Sequence, residues 1–239
     1  MASYLSIKKS LFDYVKDNDL KVGDKFPTEM ELAEMLGVGR LTLREALKVL
    51  SEEGLIYTVH GIGTFISGNF ESINDTIDIN LGITEMITAA GFKPGVKFFE
   101  KNLVKASPEV ALALKIPDGC DVLVCKRVRT AEGKPVVYSI DYFSPALVTA
   151  FLTANDDNIS IYKFMEEDMG IKIGNSTAEI IPVACSEEIS KKLEYDVNKP
   201  VIMIKQFTTD IKGSPLLFTE EYFRPDRFKI SLNRRRIKK

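Results

Sequence analysis

The chain has 239 residues, 45% of them hydrophobic and 28% charged, with a formal net charge of −2. That balance excludes a disordered chain, and the length suits one large domain or two ordinary ones. A slightly acidic total is not the footprint of a non-specific nucleic-acid binder, so any such binding must come from a local basic patch.

In chain order, the first predicted element is a helix from about Ser3 to Asp19. Ile7, Leu11 and Val15 recur every four residues, with Phe12 beside them. A turn-rich stretch follows to Phe26. Thr28 and Glu31 then stand at the spacing of a capping box, and the helix after them presents Leu32, Ala33 and Leu36 before Gly37 stops it. A further helix starts near Gly39. Leu43, Ala46, Leu47 and Leu50 fall on one face, whereas Arg40, Leu41, Arg44 and Lys48 cluster on another. Gly54 ends it. Residues 55–60 and 64–66 read as a short hairpin around Gly61-Ile62-Gly63. Helix, helix, turn, helix, hairpin within about 68 residues is the layout of a winged helix-turn-helix.

Residues 69–78 are mostly polar and read as a linker. Beyond them the spacing predicts a short helix over 81–90, a strand over 96–104 and a Ser107-capped helix to Leu114. Strands over 122–130 and 136–142 flank the turn Ala131-Glu132-Gly133-Lys134. A helix over 161–169, a strand over 177–182 and a Ser186-capped helix to Leu193 come next. A hairpin of 201–210 and 216–223 closes the pattern, and the basic run from Arg234 reads as a solvated tail. Ser107 to Leu114 with its following strand resembles Ser186 to Leu193 with its own, and each unit runs on into a hairpin. A duplicated helix–strand–hairpin unit fits one α+β domain around a central antiparallel sheet, so the chain as a whole is read as α+β.

Cys120, Cys125 and Cys185 are odd in number and lack CxxC spacing, which argues against a disulfide framework or a structural zinc; they read as reduced packing residues. His60, the only histidine, leaves no multi-histidine metal site. Neither a phosphate-cradling glycine loop nor a nucleophile elbow occurs, so no catalytic residue, metal or cofactor is expected. No apolar run is long enough for a bilayer, and Met1 to Lys9 lacks the apolar core of a signal peptide; a cytoplasmic protein away from membranes is expected.

Phe26-Pro27-Thr28-Glu29-Met30-Glu31-Leu32-Ala33, then Gly37 to Arg40, Thr42 to Leu47, and Gly54-Leu55 through Gly61-Ile62-Gly63-Thr64-Phe65 together resemble the DNA-binding domain of GntR-family regulators. Lys105-Ala106-Ser107-Pro108, Arg127-Val128-Arg129 before Gly133-Lys134-Pro135, and Tyr222 to Phe228 resemble the effector-binding UTRA domain of the HutC-type branch, a chorismate-lyase-like fold. The resemblance implies a DNA-binding domain over 1–68 and an effector domain over 79–239. It also implies a homodimer on a palindromic operator whose DNA affinity a small metabolite changes, most often by releasing a repressor.

Several residues carry that expectation. Arg40 and Arg44 lie one turn apart at the start of the recognition helix, and arginine reads guanine with two parallel hydrogen bonds. The resemblance adds Thr42 as a contact position and His60 with Gly61 as the wing's minor-groove contact; Lys48 reads as a phosphate contact or as a simply exposed lysine. Gly39 stands where the family usually has a hydroxyl cap, Leu41 where it has a polar residue, and Met30 where some members have arginine. A kept docking mode with a shifted operator sequence follows. In the second domain, Arg127 and Arg129 are two residues apart in a strand and share a face, which suits a phosphate or carboxylate. Ser139 and Tyr222 on neighbouring strands and Lys93 in its loop are further effector candidates. The family often has glutamate where Ser139 and Leu217 stand. A DNA-binding regulator without a ligand and an enzyme of lyase-like fold are the alternative functions.

Overall fold

The computed structural model describes residues 4–52, 54–67, 73–76, 80–154 and 160–231. The chain divides into two compact units, Met1–Ile79 with Glu85–Phe92 and Asp226–Lys239, and Asn80–Thr84 with Lys93–Pro225.

In the first unit, α1 (Tyr4–Asp17), α2 (Glu29–Met35) and α3 (Arg40–Glu52) precede the hairpin of β1 (Ile56–Val59) and β2 (Gly63–Ile66). The apolar stripes meet in one core: Ile7 and Leu11 of α1, Leu32 of α2, Leu43 and Leu50 of α3, and Ile66 of the hairpin. Both halves of the capping box at α2 form. Thr28 N donates to Glu31 Oε2 at 2.8 Å, and Glu31 N donates to Thr28 Oγ1 at 3.3 Å. Two strands depart from expectation. Part of the stretch read as a linker is a strand, β3 (Ile73–Thr76), paired in parallel with β10 (Phe228–Ser231). Ile73 is buried. Four residues with one core-facing apolar side chain give too little periodicity to be seen in sequence. The rest of the polar stretch and the basic tail from Arg234 lie outside the described residues.

A short helix, α4 (Ile83–Ala89), precedes the strand that opens the second unit's sheet. That sheet comprises β4 (Pro94–Lys105), β5 (Asp121–Ala131), β6 (Lys134–Phe143), β7 (Ile173–Ala184), β8 (Pro200–Asp210) and β9 (Pro215–Phe223). Its strand order is β4-β5-β6-β9-β8-β7, and neighbours pair antiparallel. Each edge leads inward through one repeat, β4-β5-β6 from one side and β7-β8-β9 from the other. α5 (Pro108–Leu114) and α8 (Glu187–Leu193) are each capped by a serine, Ser107 and Ser186, and each ends in a left-handed residue, Lys115 and Glu194. Both pack on one sheet face, against Val124 and Phe218 in one half and Val128 and Tyr138 in the other.

The other face is covered by α6 (Pro145–Thr153) and α7 (Ile161–Lys163), the latter running on into a π-helical turn over Phe164–Asp168. Leu147, Phe151, Ile161 and Met165 pack there against Leu123, Phe143 and Leu217. The helix expected over 161–169 is thus one α-helical turn followed by a wider one. α6 was not expected: its residues are apolar nearly all round, so no stripe stands out, and only Ser144-Pro145 marks its start.

Candidate functional site

The recognition surface follows from how α3 is buried. Leu43, Ala46, Leu47 and Leu50 face the core, so Arg40, Leu41, Arg44 and Lys48 are turned outward and exposed. Thr42 is half-buried on the first turn. Gly39 O accepts the first helical amide, Leu43 N, at 3.0 Å, which makes Gly39 the helix cap in place of a hydroxyl residue. Leu41 is 74% exposed, an apolar side chain held in water at the helix tip.

Arg44 Nε donates to Glu29 Oε2 at 2.7 Å across the gap between α2 and α3. Two residues along, the Thr28 amide and hydroxyl hold the Glu31 carboxyl below the usual carboxylate range. At the wing, His60 and Gly61 are exposed in the turn between β1 and β2. Gly61 has φ +76°, open to glycine and strained for other residues, and no atom lies within 4 Å of where a Cβ would stand. Tyr57 and Phe65 stack behind the turn at 5.4 Å.

In the second unit, strand register sets which side chains meet. Arg127 pairs with Ser139, and Ser139 with Glu221; Cys125 pairs with Asp141, and Asp141 with Thr219. Directly paired residues share a face, so Arg127, Arg129, Ser139 and Asp141 gather under α6 and α7. Arg127 is 5% exposed, Arg129 1% and Asp141 3%. Asp141 Oδ2 accepts from Arg127 Nη2 at 3.1 Å and from Ser139 Oγ at 3.0 Å. Arg129 Nη2 donates to Thr84 Oγ1 at 2.6 Å. Beside Arg127 a small cleft is lined by Phe99, Lys101, Cys125, Phe143 and Ile161 among others. Lys101 Nζ donates to the carbonyls of Phe151, Leu152 and Ala154 and so closes the end of α6. Burial, then the Asp141 charge, pushes the Cys125 thiol up to about 12, which leaves it neutral and unreactive.

The same face holds a neutral polar group that sequence reasoning missed. Tyr162 Oη donates to Asn80 Oδ1 at 3.0 Å, lies 3.2 Å from Thr208 Oγ1, and accepts from Gln206 Nε2 at 3.0 Å. Burial raises the Tyr162 phenol pKa, so it stays protonated as a donor. Thr219 Oγ1, between Asp141 and Gln206 in the register, is buried with no hydrogen-bond partner among the described residues. The alternation of polar residues along β8 and β9 was the available signal. Asn80 and Thr84 lie in one segment and Tyr162 in another, and nothing in sequence joins the two.

Two candidates are not brought to the arginines. Tyr222 pairs with Tyr138, not with Ser139, and stacks on the Tyr138 ring at 6.0 Å on the opposite face, in the core under α8. Strand parity decides this: Glu221, not Tyr222, shares the face of Arg127. Lys93 lies beyond the last sheet pair, where its amide donates to Glu132 Oε1 at 2.8 Å and its carbonyl accepts from Glu132 N at 3.1 Å. Its role there is to fasten the turn between β5 and β6. Among the described residues, no cluster of His, Cys, Asp and Glu could hold a metal ion, and no helix is long and apolar enough to cross a membrane.

Residues 3–66 match the profile of bacterial regulatory proteins of the gntR family, and residues 89–229 match the UTRA domain. The HTH-type transcriptional repressor NagR of Bacillus subtilis is 28% identical over 225 residues, 94% of this chain and 91% of that protein. The HTH-type transcriptional regulator GgaR of Escherichia coli K12 is 28% identical over 226 residues, 93% of this chain and 87% of that one. Among solved structures, PhnF of Mycobacterium smegmatis superposes with a TM-score of 0.64 at 22% identity, covering 95% of this chain and 98% of PhnF. The possible transcriptional regulator YydK of B. subtilis gives 0.57 at 23%, covering 98% and 100%. These two likenesses concern the fold.

Proposed function

The chain belongs to the GntR family of bacterial regulatory proteins, in the branch with a UTRA domain, and is a DNA-binding transcriptional regulator; on that premise we propose that it is a homodimeric repressor whose hold on a palindromic operator is changed by a small anionic metabolite. The observation that carries this reading is the pairing of two surfaces on one chain. One is an outward basic helix face backed by a glycine-tipped wing. The other is a buried arginine pair, of which Arg127 lines a small cleft.

In this reading Arg40 and Arg44 read base edges in the major groove, and Thr42 and Lys48 hold phosphates. His60 and Gly61 bring the wing to the minor groove, and Leu41 meets a thymine methyl. Arg127 and Arg129 anchor the anion. Asp141 already compensates Arg127, so the ligand competes with or joins an existing ion pair instead of meeting two uncommitted cations. Tyr162, Gln206 and Thr219 offer neutral partners for the rest of the ligand. NagR, named a repressor, supports the direction of control. A ligand changes DNA affinity only by binding one conformation of the dimer better than the other.

The test is a mobility-shift titration of the protein on fragments of its own promoter, wild type against Arg44→Ala, with and without a panel of anionic metabolites. The reading expects binding by the wild type, loss in Arg44→Ala, and reversal by one metabolite class. Equal binding by both proteins, untouched by every metabolite, would reject it.

A further inference from the structure

We infer that Glu29 is a positioning residue for DNA recognition: its carboxylate holds Arg44 by Nε and so presents the end of the guanidinium to a base edge. The inference rests on the proposal that Arg44 reads bases.

Glu29 opens α2, immediately after its cap, Thr28. That helix start is fixed twice over, by the reciprocal bonds between Thr28 and Glu31 and by Leu32 and Ala33 in the core that also holds Leu43 and Ala46 of α3. The carboxylate is therefore carried on a rigid element and reaches Arg44, fifteen positions along the chain, at 2.7 Å. Arginine has five N–H donors in one planar fork. A bond at Nε fixes the plane and leaves the Nη1 and Nη2 edge directed away from Glu29. That edge makes the paired contact to guanine O6 and N7.

The placement is not explained by stability or by affinity for phosphates. The two side chains are 68% and 43% exposed, and exposed pairs of this kind contribute little to folding. Beside Arg40 and Lys48, a carboxylate opposes attraction to the DNA backbone. What it supplies is order in a long side chain before binding, which lessens what must be immobilised on the operator. Glu29 thus exchanges general affinity for discrimination.

The test uses the full-length protein, a duplex that the wild type enriches from a randomised pool, and a scrambled duplex of the same composition. Binding of both by wild type, Glu29→Gln, Glu29→Ala, Arg44→Ala and Arg44→Ala with Glu29→Ala is followed by fluorescence anisotropy, with a thermal melt of each protein. We expect Glu29→Ala to bind the scrambled duplex at least as tightly as wild type while its preference for the selected duplex falls roughly fivefold. Glu29→Gln, which keeps an acceptor without the charge, should fall between. In the Arg44→Ala background, removing Glu29 should leave the preference unchanged. Equal tightening on both duplexes would reduce Glu29 to a mere charge and overturn the inference. Equal weakening on both with a lowered melting temperature would make it structural and overturn it too. Full preference in Arg44→Ala would instead reject the reading of Arg44 beneath it.

Discussion

Arg127 and Asp141 are removed from water together, and their ion pair is judged by what each would be alone. A buried charge that loses its partner is left uncompensated in a medium that solvates it poorly, which costs about 3–5 kcal/mol. Asp141→Asn keeps the shape and removes the charge, so it should lower unfolding free energy by about that much in a urea titration. A loss of less than about 1 kcal/mol would mean that the pair behaves as an exposed one. Cys125, directly opposite Asp141 in the register, gives a prediction in pH. Its thiol is pushed up to about 12, chiefly by burial, whereas an unfolded thiol ionises near 8.5. Because the folded value is the raised one, the folded chain keeps its proton where the unfolded chain releases it. This contribution is fully present below about pH 8 and is lost as pH rises toward 12. Cys185 and Tyr138 are raised in the same direction, also by burial first. The urea midpoint should be flat from pH 6 to 8 in this respect and fall above about 9, with a shallower fall in Cys125→Ala. An unchanged alkaline slope in that variant would count against the burial account.

Elements in this chain were legible where one face is apolar and the ends carry chemical marks. α2 shows Thr28, Glu31 and Gly37, and α3 shows four core residues at helical spacing; both stand where the sequence places them. β5 and β6 flank a turn with Gly133 at its tip, and their alternation correctly put Arg127 and Arg129 on one face. Tyr222 shows the limit. Period-two reasoning puts side chains on a face within one strand, but which faces coincide across strands depends on register, and register is fixed by long-range pairing. Asp141 reaches Arg127, Thr84 reaches Arg129 and Tyr162 reaches Thr208 through that pairing and through the seating of α7, which no local pattern encodes. α3 also carries a local choice that can be improved. Gly39 caps it without a side chain, and a Cβ there would meet only Thr42 Oγ1, at 3.9 Å. Gly39→Ser should therefore fit and stabilise the helix start by a few tenths of a kcal/mol. It should also restore the family's hydroxyl at the DNA surface. A thermal melt and an anisotropy titration read the two effects; a lowered melting temperature would show that the cap geometry does not accept serine.

At the scale of the whole molecule, charge is distributed against its own total. The chain is net acidic, yet Arg40, Arg44 and Lys48 lie together on one exposed helix face. A single such face neutralises few phosphates, and binding falls with salt in proportion to the number neutralised. Tight operator binding therefore calls for two copies acting together, each supplying one helix to one half-site, which is the physical content of the proposed homodimer. Half-sites read by a two-fold dimer lie about one turn of DNA apart, or a multiple of it, on the same side of the duplex. Inserting about 5 base pairs between them turns one half-site to the far side, whereas about 10 returns it to the same side at greater distance. On an operator enriched from a randomised pool, the first insertion should abolish cooperative binding and leave only weak, strongly salt-dependent association. A change in affinity at low salt too small to separate the two insertions would mean that each chain binds its half-site independently. The effector would then have to act on the recognition unit of a single chain, not on the spacing between two.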